Sequence, residues 1–280
     1  MSQGMIPNKA NYCSGAFPDW LEVMLTPTCN ARCAWCIERG GYRPEKTVSV
    51  EELVKAILGA TETNIILLGG EPLTYPYMAD LIMDICERKR VYITTNGVLL
   101  TVEYVKHNLV GIVGLNVSIH HYDLAKNQQI VRAVVDSKSL RLAIGECKRQ
   151  GILVRLNCNI IKGYIDSKDE ILRYIEWAKG IGVDKLRFAE LKDADESFVS
   201  LGKIMAYDYG LNEDPFTLGC NRDVELCGLP VSFRQMCGFQ TYHRPVPQDS
   251  QGRTHRVLYY DGQFYNGWQR EKIVKKKDKR

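Results

Sequence analysis

Apolar and polar positions alternate with two different periods through the middle of the chain. Short apolar runs of strand length recur at Leu21–Thr26, Ile65–Leu68, Val91–Thr94, Val113–His120, Ile152–Ile160 and Lys185–Leu191. Between them, apolar residues fall at helical spacing over Val50–Ala60, Tyr77–Lys89, Val102–Asn108, Gln128–Gln150 and Ser167–Gly180. Repeated strand-then-helix steps with right-handed crossovers predict an α/β fold around a parallel sheet. Gly151 and the pair Gly180 and Gly182 stand where helices should stop.

Parallel strands covered on both faces should be apolar almost throughout. Several of these are not. Period-two alternation groups Asn116, Ser118 and His120 on one face of the fourth strand, and Arg155, Asn157 and Asn159 on one face of the fifth. It groups Phe188, Glu190 and Lys192 on the sixth, and Glu22, Met24 and Thr26 on the first. Helices outside a barrel would take the apolar faces, so the polar faces should line an interior. Leaving such groups buried without partners costs about 1–3 kcal/mol each. A lumen filled by a polar cofactor and substrate supplies partners; exposed strand edges are the alternative explanation.

After about Asp195 the helical periodicity fades. Residues 196–269 hold glycine, proline, aromatics and three cysteines and read as a small appended region. Within it, Arg256–Tyr260, Asp261-Gly262 and Gln263–Tyr265 predict a β-hairpin on an Asp-Gly turn. The organisation expected is therefore 1–195, 196–269 and a tail over 270–280.

Composition narrows the picture. The 280 residues are 45% hydrophobic and 25% charged, ordinary for a globular protein. The net charge is +4, but Arg270–Arg280 alone carries seven basic and two acidic residues, leaving −1 for the rest. The tail reads as a solvated, disordered end, with a weak anion or nucleic-acid contact as the lesser reading, and the body advertises no specific nucleic-acid partner. No apolar run is long enough for a membrane span, and Met1–Ala10 lacks the pattern of a secretory signal. A cytoplasmic location is expected. Ten cysteines in such a setting point to metal ligation or catalysis rather than disulfides.

Three of those cysteines, Cys29, Cys33 and Cys36, lie within eight residues directly after the first strand. Thiolates are the soft ligands preferred by iron–sulfur clusters and zinc. A structural zinc site wants four closed ligands, and no fourth Cys or His follows nearby. Three ligands on a cubane would leave one iron open for chemistry.

The spacing C-x3-C-x2-C, with Trp35 before the last cysteine, resembles the signature of the radical S-adenosylmethionine (SAM) superfamily. Leu68-Gly69-Gly70-Glu71-Pro72-Leu73 resembles its GGEP motif, and Thr94-Thr95-Asn96-Gly97 ends the third strand. Val154-Arg155-Leu156-Asn157 through Lys162-Gly163, then Leu186-Arg187-Phe188-Ala189-Glu190-Leu191, resemble its MoaA branch. The resemblance covers about residues 20–195. It implies a partial (β/α)6 TIM-type barrel, with a [4Fe–4S] cluster on Cys29, Cys33 and Cys36 and SAM on the open iron. It implies reductive cleavage of SAM to a 5′-deoxyadenosyl radical that takes hydrogen from a small-molecule substrate. It also implies a reducing partner such as flavodoxin or ferredoxin.

By motif position, Trp35 is expected near the adenine of SAM and Gly69 and Gly70 near its methionine part. Glu71 is expected to organise the loop or meet the amino group. Ser118 is placed at the ribose, and Asn157 and Lys192 among the other SAM contacts. Glu22, Thr95 and Arg155 are the substrate candidates, with Glu22 and His120 the catalytic ones; His120 could equally be a hydrogen bonder lining the pocket. Two positions that hold arginine in the MoaA branch are Glu22 and Ile66 here, so a GTP cyclase is not expected. Cys220, Cys227 and Cys237 lie where relatives carry an auxiliary cluster in a short "twitch" region. A second [4Fe–4S] cluster, a zinc site completed by His243 or His255, and unligated thiols all remain open for them. Cys86, Cys147 and Cys158 read as core residues. The leading expectation is hydrogen abstraction from a sugar, nucleoside or modified amino acid, giving dehydrogenation, epimerisation or rearrangement. A peptide-modifying maturase and a noncatalytic metal-binding scaffold are the alternatives.

Overall fold

A computed structural model describes residues 19–36, 38, 43–191, 196–209, 221–235 and 256–267. The strands are β1 (Trp20–Met24), β2 (Asn64–Leu68), β3 (Arg90–Thr95), β4 (Gly114–Ser118), β5 (Leu153–Asn159), β6 (Lys185–Ala189), β7 (Asn221–Leu226), β8 (Leu229–Arg234), β9 (Arg256–Leu258) and β10 (Phe264–Asn266). The helices are α1 (Val50–Gly59), α2 (Met78–Ile85), α3 (Val102–Asn108), α4 (Leu124–Val131), α5 (Ser137–Arg149), α6 (Lys168–Ile181) and α7 (Leu201–Tyr209).

Two compact units share these elements. The first holds the described residues of Pro18–Ser118, Asp123–Val154 and His255–Arg280; the second holds those of Ile119–Tyr122 and Arg155–Thr254. In the first, the strand order is β10-β9-β1-β2-β3-β4, and every pair is parallel except the β9–β10 hairpin. In the second the order is β5-β6-β8-β7, with β5–β6 and β6–β8 parallel and β7–β8 antiparallel.

Local chemistry accounts for the element ends. Ser49 and Glu52 form a reciprocal capping box at the start of α1. Ser167 caps α6, and Gly182, at φ 85°, ends it in the left-handed region. The single helix expected over Gln128–Gln150 is two. Arg132 turns left-handed at φ 56° and closes α4, and Asp136 caps a new helix by accepting from Ser139 N–H at 2.7 Å. The predicted hairpin forms around Gly262, and β9 pairs in parallel with β1. Helix α7 and the β7–β8 hairpin were not expected.

The core is built on the apolar strand faces. Val23, Leu67, Ile93, Leu115 and Val117 are fully buried in the first unit. In the second, Phe188 stacks on Phe233 at 5.8 Å and meets Tyr174 of α6 edge-on at 5.3 Å. The Tyr174 hydroxyl donates to Ile119 C=O at 2.8 Å. No helix among the described residues is long and apolar enough to cross a membrane.

Candidate functional site

The cysteine loop begins five residues beyond the end of β1 and is held by backbone contacts. Leu25 N–H donates to Leu68 C=O at 2.9 Å, Gly70 N–H to Thr26 C=O at 2.8 Å, and Glu71 N–H to Thr28 C=O at 2.7 Å. These bonds bring two backbones so close that only glycine fits. A Cβ at Gly69 would lie 2.9 Å from Thr26 O, and one at Gly70 would lie 2.4 Å from Thr28 O. The close approach at both glycines is to Thr26–Thr28, the segment that delivers Cys29.

Glu71 ties this loop to the end of β3. It is 1% exposed. Its carboxylate accepts from Leu73 N–H at 3.0 Å, the Thr95 hydroxyl at 2.6 Å and Asn96 N–H at 2.7 Å. Burial pushes its carboxyl above the ordinary range, against the pull of those donors. Glu71 thereby joins the loop after β2 to the end of β3. Asn96 extends the brace: its side-chain amide donates to Asn30 Oδ1 at 2.7 Å and approaches Cys29 Sγ at 3.9 Å. Sequence reasoning gave Asn96 no role, although the Thr-Asn-Gly run that holds it was in view.

Cys33 and Cys36 are half-buried and Cys29 is exposed, and none of the three is in a disulfide. Ala31 N–H donates to Cys29 Sγ at 3.4 Å, and Arg32 N–H anchors the loop to Val131 C=O at 2.8 Å. Partial burial, with Glu71 and Cys36 adding to it, raises the Cys29 thiol pKa; the Ala31 and Asn96 donors lower it. As placed, no three Cys, His, Asp or Glu side chains among the described residues stand together as a metal site. Trp35 is half-buried within the same loop.

The register fixes which side chains share a face. Glu22 lies opposite Ile66, Ile66 opposite Tyr92, and Tyr92 opposite Gly114; Thr94 lies opposite Asn116. Glu22, Tyr92, Thr94, Asn116 and Ser118 therefore line one face of the first unit. Trp20 and Tyr92 pack at 4.8 Å near its amino-terminal end, and the missing side chain of Gly114 makes room for the Tyr92 ring. Asn116 donates to Thr94 Oγ1 at 3.1 Å. Thr95, expected at the substrate, is on the opposite face, 1% exposed, with its hydroxyl between Glu71 and Gly97 N–H. The inward threonine is Thr94.

In the second unit, Asn157 lies opposite Arg187 and Cys158 opposite Phe188. The faces of β6 are thus the reverse of those expected: Phe188 packs under α6, and Arg187 joins Arg155 and Asn157. Period-two counting cannot choose a face; only the register against β5 does. Glu190 accepts from Leu201 N–H at 2.9 Å and serves the start of α7. His120 is buried, and its Nδ1 accepts from Asn159 N–H at 3.0 Å. Burial lowers its pKa to about 4, so it is neutral at pH 7 with its proton on Nε2.

Lys192, Cys220, Cys237, His243 and His255 lie outside the described residues. Cys227 occupies the tip of the β7–β8 hairpin, exposed, at φ 51°. The opposite end of that ladder is the pair Asn221 and Arg234. Of the three carboxy-terminal cysteines, only Cys227 is among the described residues.

Residues 23–178 match the radical SAM superfamily. The chain belongs to this family. It is 33% identical over 183 residues to a GTP 3′,8-cyclase of Aquifex aeolicus, covering 62% of this chain and 56% of that protein. It is 28% identical over 197 residues to molybdenum cofactor biosynthesis protein 1 of Dictyostelium discoideum, covering 67% and 31%. The chain thus spans about half the length of the curated cyclases it matches. In fold it is similar to Streptococcus suis SuiB, solved with its precursor peptide SuiA, at a TM-score of 0.53 and 18% identity. That match covers 63% of this chain and 40% of SuiB. The fold is accordingly α/β, of the partial TIM-type barrel kind, with a MoaA-like radical SAM core.

The family's cofactors are a [4Fe–4S] cluster and SAM, and this radical SAM protein is an iron–sulfur enzyme. The donor set fits a cluster: three free thiols share one short loop, anchored before Cys29 and at Arg32 and reachable from solvent.

Proposed function

We propose that this radical SAM protein abstracts hydrogen from a small polar substrate that is not GTP. The products would be those of dehydrogenation, epimerisation or rearrangement. The observation that supports the chemistry most strongly is the closed brace from Gly70 through Glu71 and Asn96 to Cys29. That brace orders the segment that delivers Cys29. When bound, the cluster and SAM supply one-electron cleavage and a hydrogen-abstracting radical, given an external reductant such as flavodoxin or ferredoxin.

The chain's own residues do the rest. Cys29, Cys33 and Cys36 hold the cluster. Ser118, at the carboxy-terminal end of β4, and Trp35, in the cysteine loop, are the residues assigned to SAM. Glu22 offers a carboxylate to an amine or hydroxyl, and that charge would repel a triphosphate. His120 acts as a hydrogen-bond donor through Nε2 rather than as a base, because its pKa of about 4 leaves it neutral and its Nδ1 is occupied.

The test is anaerobic reconstitution followed by iron and sulfide analysis, EPR, and assay of 5′-deoxyadenosine under strong reduction. The wild type should hold at least about four irons and form 5′-deoxyadenosine. The triple variant Cys29→Ala, Cys33→Ala, Cys36→Ala should lose that cluster and the product together. A wild type that holds no cluster, or cleaves no SAM when reduced, sinks the reading. Cyclised product from GTP would sink the substrate assignment alone.

A further inference from the structure

Asn96 directly follows β3, two strands across the sheet from β1, and its side chain reaches the cysteine loop that β1 delivers. The side-chain amide is held in one orientation. Its Oδ1 accepts from Val98 N–H at 3.0 Å, with Gly97 between them at φ 78°. That bond decides which end of the amide is oxygen, so the nitrogen is the end that faces the loop. The backbone is held as well, because Asn96 N–H donates to the Glu71 carboxylate at 2.7 Å.

The amide nitrogen carries two hydrogens. One goes to Asn30 Oδ1 at 2.7 Å, a short bond for two neutral amides. The nitrogen also stands 3.9 Å from Cys29 Sγ, and the second hydrogen serves that contact. The same sulfur receives Ala31 N–H at 3.4 Å. Tethering the loop needs only the first hydrogen. Magnitude separates the two roles. The Asn30 bond contributes about 0.5–1.5 kcal/mol, enough to position a loop. The sulfur contact is long, so it is weak against an uncharged thiol. Against a thiolate bound to iron, a dipole with its positive end toward the sulfur stabilises negative charge. One-electron reduction adds a whole negative charge to a cluster, and part of it rests on the ligand sulfurs. Hydrogen bonds to those sulfurs are among the features that set a cluster's potential.

We infer that Asn96 is a positioning residue that also tunes the cluster: its second amide hydrogen favours the reduced state and raises the reduction potential of a cluster held by Cys29. The inference rests on the proposed ligand set. No electron or proton passes through Asn96; it changes the energy of one charge state relative to the other. The residue after β3 thereby helps set how strong a reductant the reaction needs.

The test is an EPR-monitored redox titration of the reconstituted protein, as wild type and as three variants, with iron measured on the same samples. The signal of the cysteine-loop cluster is the one lost in the triple variant Cys29→Ala, Cys33→Ala, Cys36→Ala. Asn96→Ser keeps an oxygen for Val98 N–H but reaches neither Asn30 nor the sulfur. It should retain its iron and shift the midpoint to a more negative potential. At a fixed potential its reduced-to-oxidised ratio should fall roughly threefold to tenfold, about 30–60 mV for one electron. Asn30→Ala breaks the tether and spares the donor, so its shift should be smaller. Asn96→Asp keeps the acceptor for Val98 and replaces the donor by negative charge, so its shift should be the largest. Asn96→Ser at the wild-type potential overturns the inference, as does an Asn30→Ala shift equal to that of Asn96→Ser. Iron loss from Asn96→Ser overturns it too, in favour of a holding role alone. A wild type without this cluster fails on the ligand set, which iron content reports separately, and takes the inference with it.

Discussion

The cysteine brace differs from the face of β5, β6 and β8 that carries Asn157, Arg187 and Arg234 in how far the chain meets its own polar demands. In the brace, the chain meets its own demands. Glu71 is saturated by three donors, Thr95 both gives and receives, and Gly70 packs backbone on backbone. On the β5–β6–β8 face, buried polar atoms of Asn157 and Arg234 lack partners among the described residues. The first arrangement is complete before anything binds, as a loop that must position a cofactor should be. The second leaves one donor, Arg234 Nε–H, and one acceptor, Asn157 Oδ1, unsatisfied.

The sharpest way to break the contrast is to disturb the brace at its tightest point. Gly70→Ala would set a Cβ 2.4 Å from Thr28 O, a backbone atom that cannot swing aside. We expect a loss of about 3 kcal/mol or more and a protein that no longer retains iron after reconstitution. Gly59→Ala, at a site with nothing within 4 Å, is the matched control and should leave iron content unchanged. Equal iron retention in both variants would show that the close approach does not govern the cysteine loop.

His120 gives the next largest effect, and a signed one. Its folded pKa of about 4 lies below the ordinary histidine value, so the unfolded chain takes up a proton first as pH falls. Stability is complete above about pH 6.5 and declines toward pH 4, by up to about 3 kcal/mol. In His120→Gln, the side-chain carbonyl can still accept from Asn159 N–H but does not titrate. Urea unfolding of the two proteins should diverge over that window. Parallel curves would mean that His120 is charged or accessible, and its candidacy as a proton-transfer group would return.

Glu71→Gln probes the brace electrostatically. An amide nitrogen must then face a donor, at a cost of about 1–3 kcal/mol. Burial raises the Glu71 pKa, so the wild type gains stability when the group is protonated and loses it as pH rises through the raised value. The gap between wild type and variant should therefore narrow from about pH 5 toward neutrality. A gap that widens instead would show that the three donors outweigh burial.

These residues also show what a sequence discloses and what it withholds. The βα alternation, the cysteine spacing, the Gly-Gly-Glu run and the Asp-Gly hairpin are local features, and each appears where the pattern places it. Misreadings arose where a choice was not local. Helical periodicity runs through Arg132, and only its left-handed backbone and the Asp136 cap divide the helix. Alternation along β6 is equally compatible with either face, and the pairing with β5 and the packing under Tyr174 decide it. Thr94 and Thr95 are chemically alike, so nothing in the sequence says which points inward. The β7–β8 hairpin was hidden because its turn is Cys-Gly rather than Asn-Gly.

That turn carries the smallest effect and still separates two accounts of the carboxy-terminal cysteines. Cys227 and Gly228 both have positive φ, 51° and 72°, in a two-residue connection between Leu226 and Leu229. A cysteine is strained there and asparagine is tolerated, so Cys227→Asn should stabilise the protein by a few tenths to about 1 kcal/mol. The neighbouring Glu176 raises the Cys227 thiol pKa, which works against a ready thiolate ligand. If the tip thiol holds no metal, Cys227→Asn retains every iron of the wild type and melts slightly higher. If it is a cluster ligand, iron and sulfide fall together in the variant whatever happens to its melting point. The raised thiol pKa and the exposed turn position of Cys227 favour the first outcome.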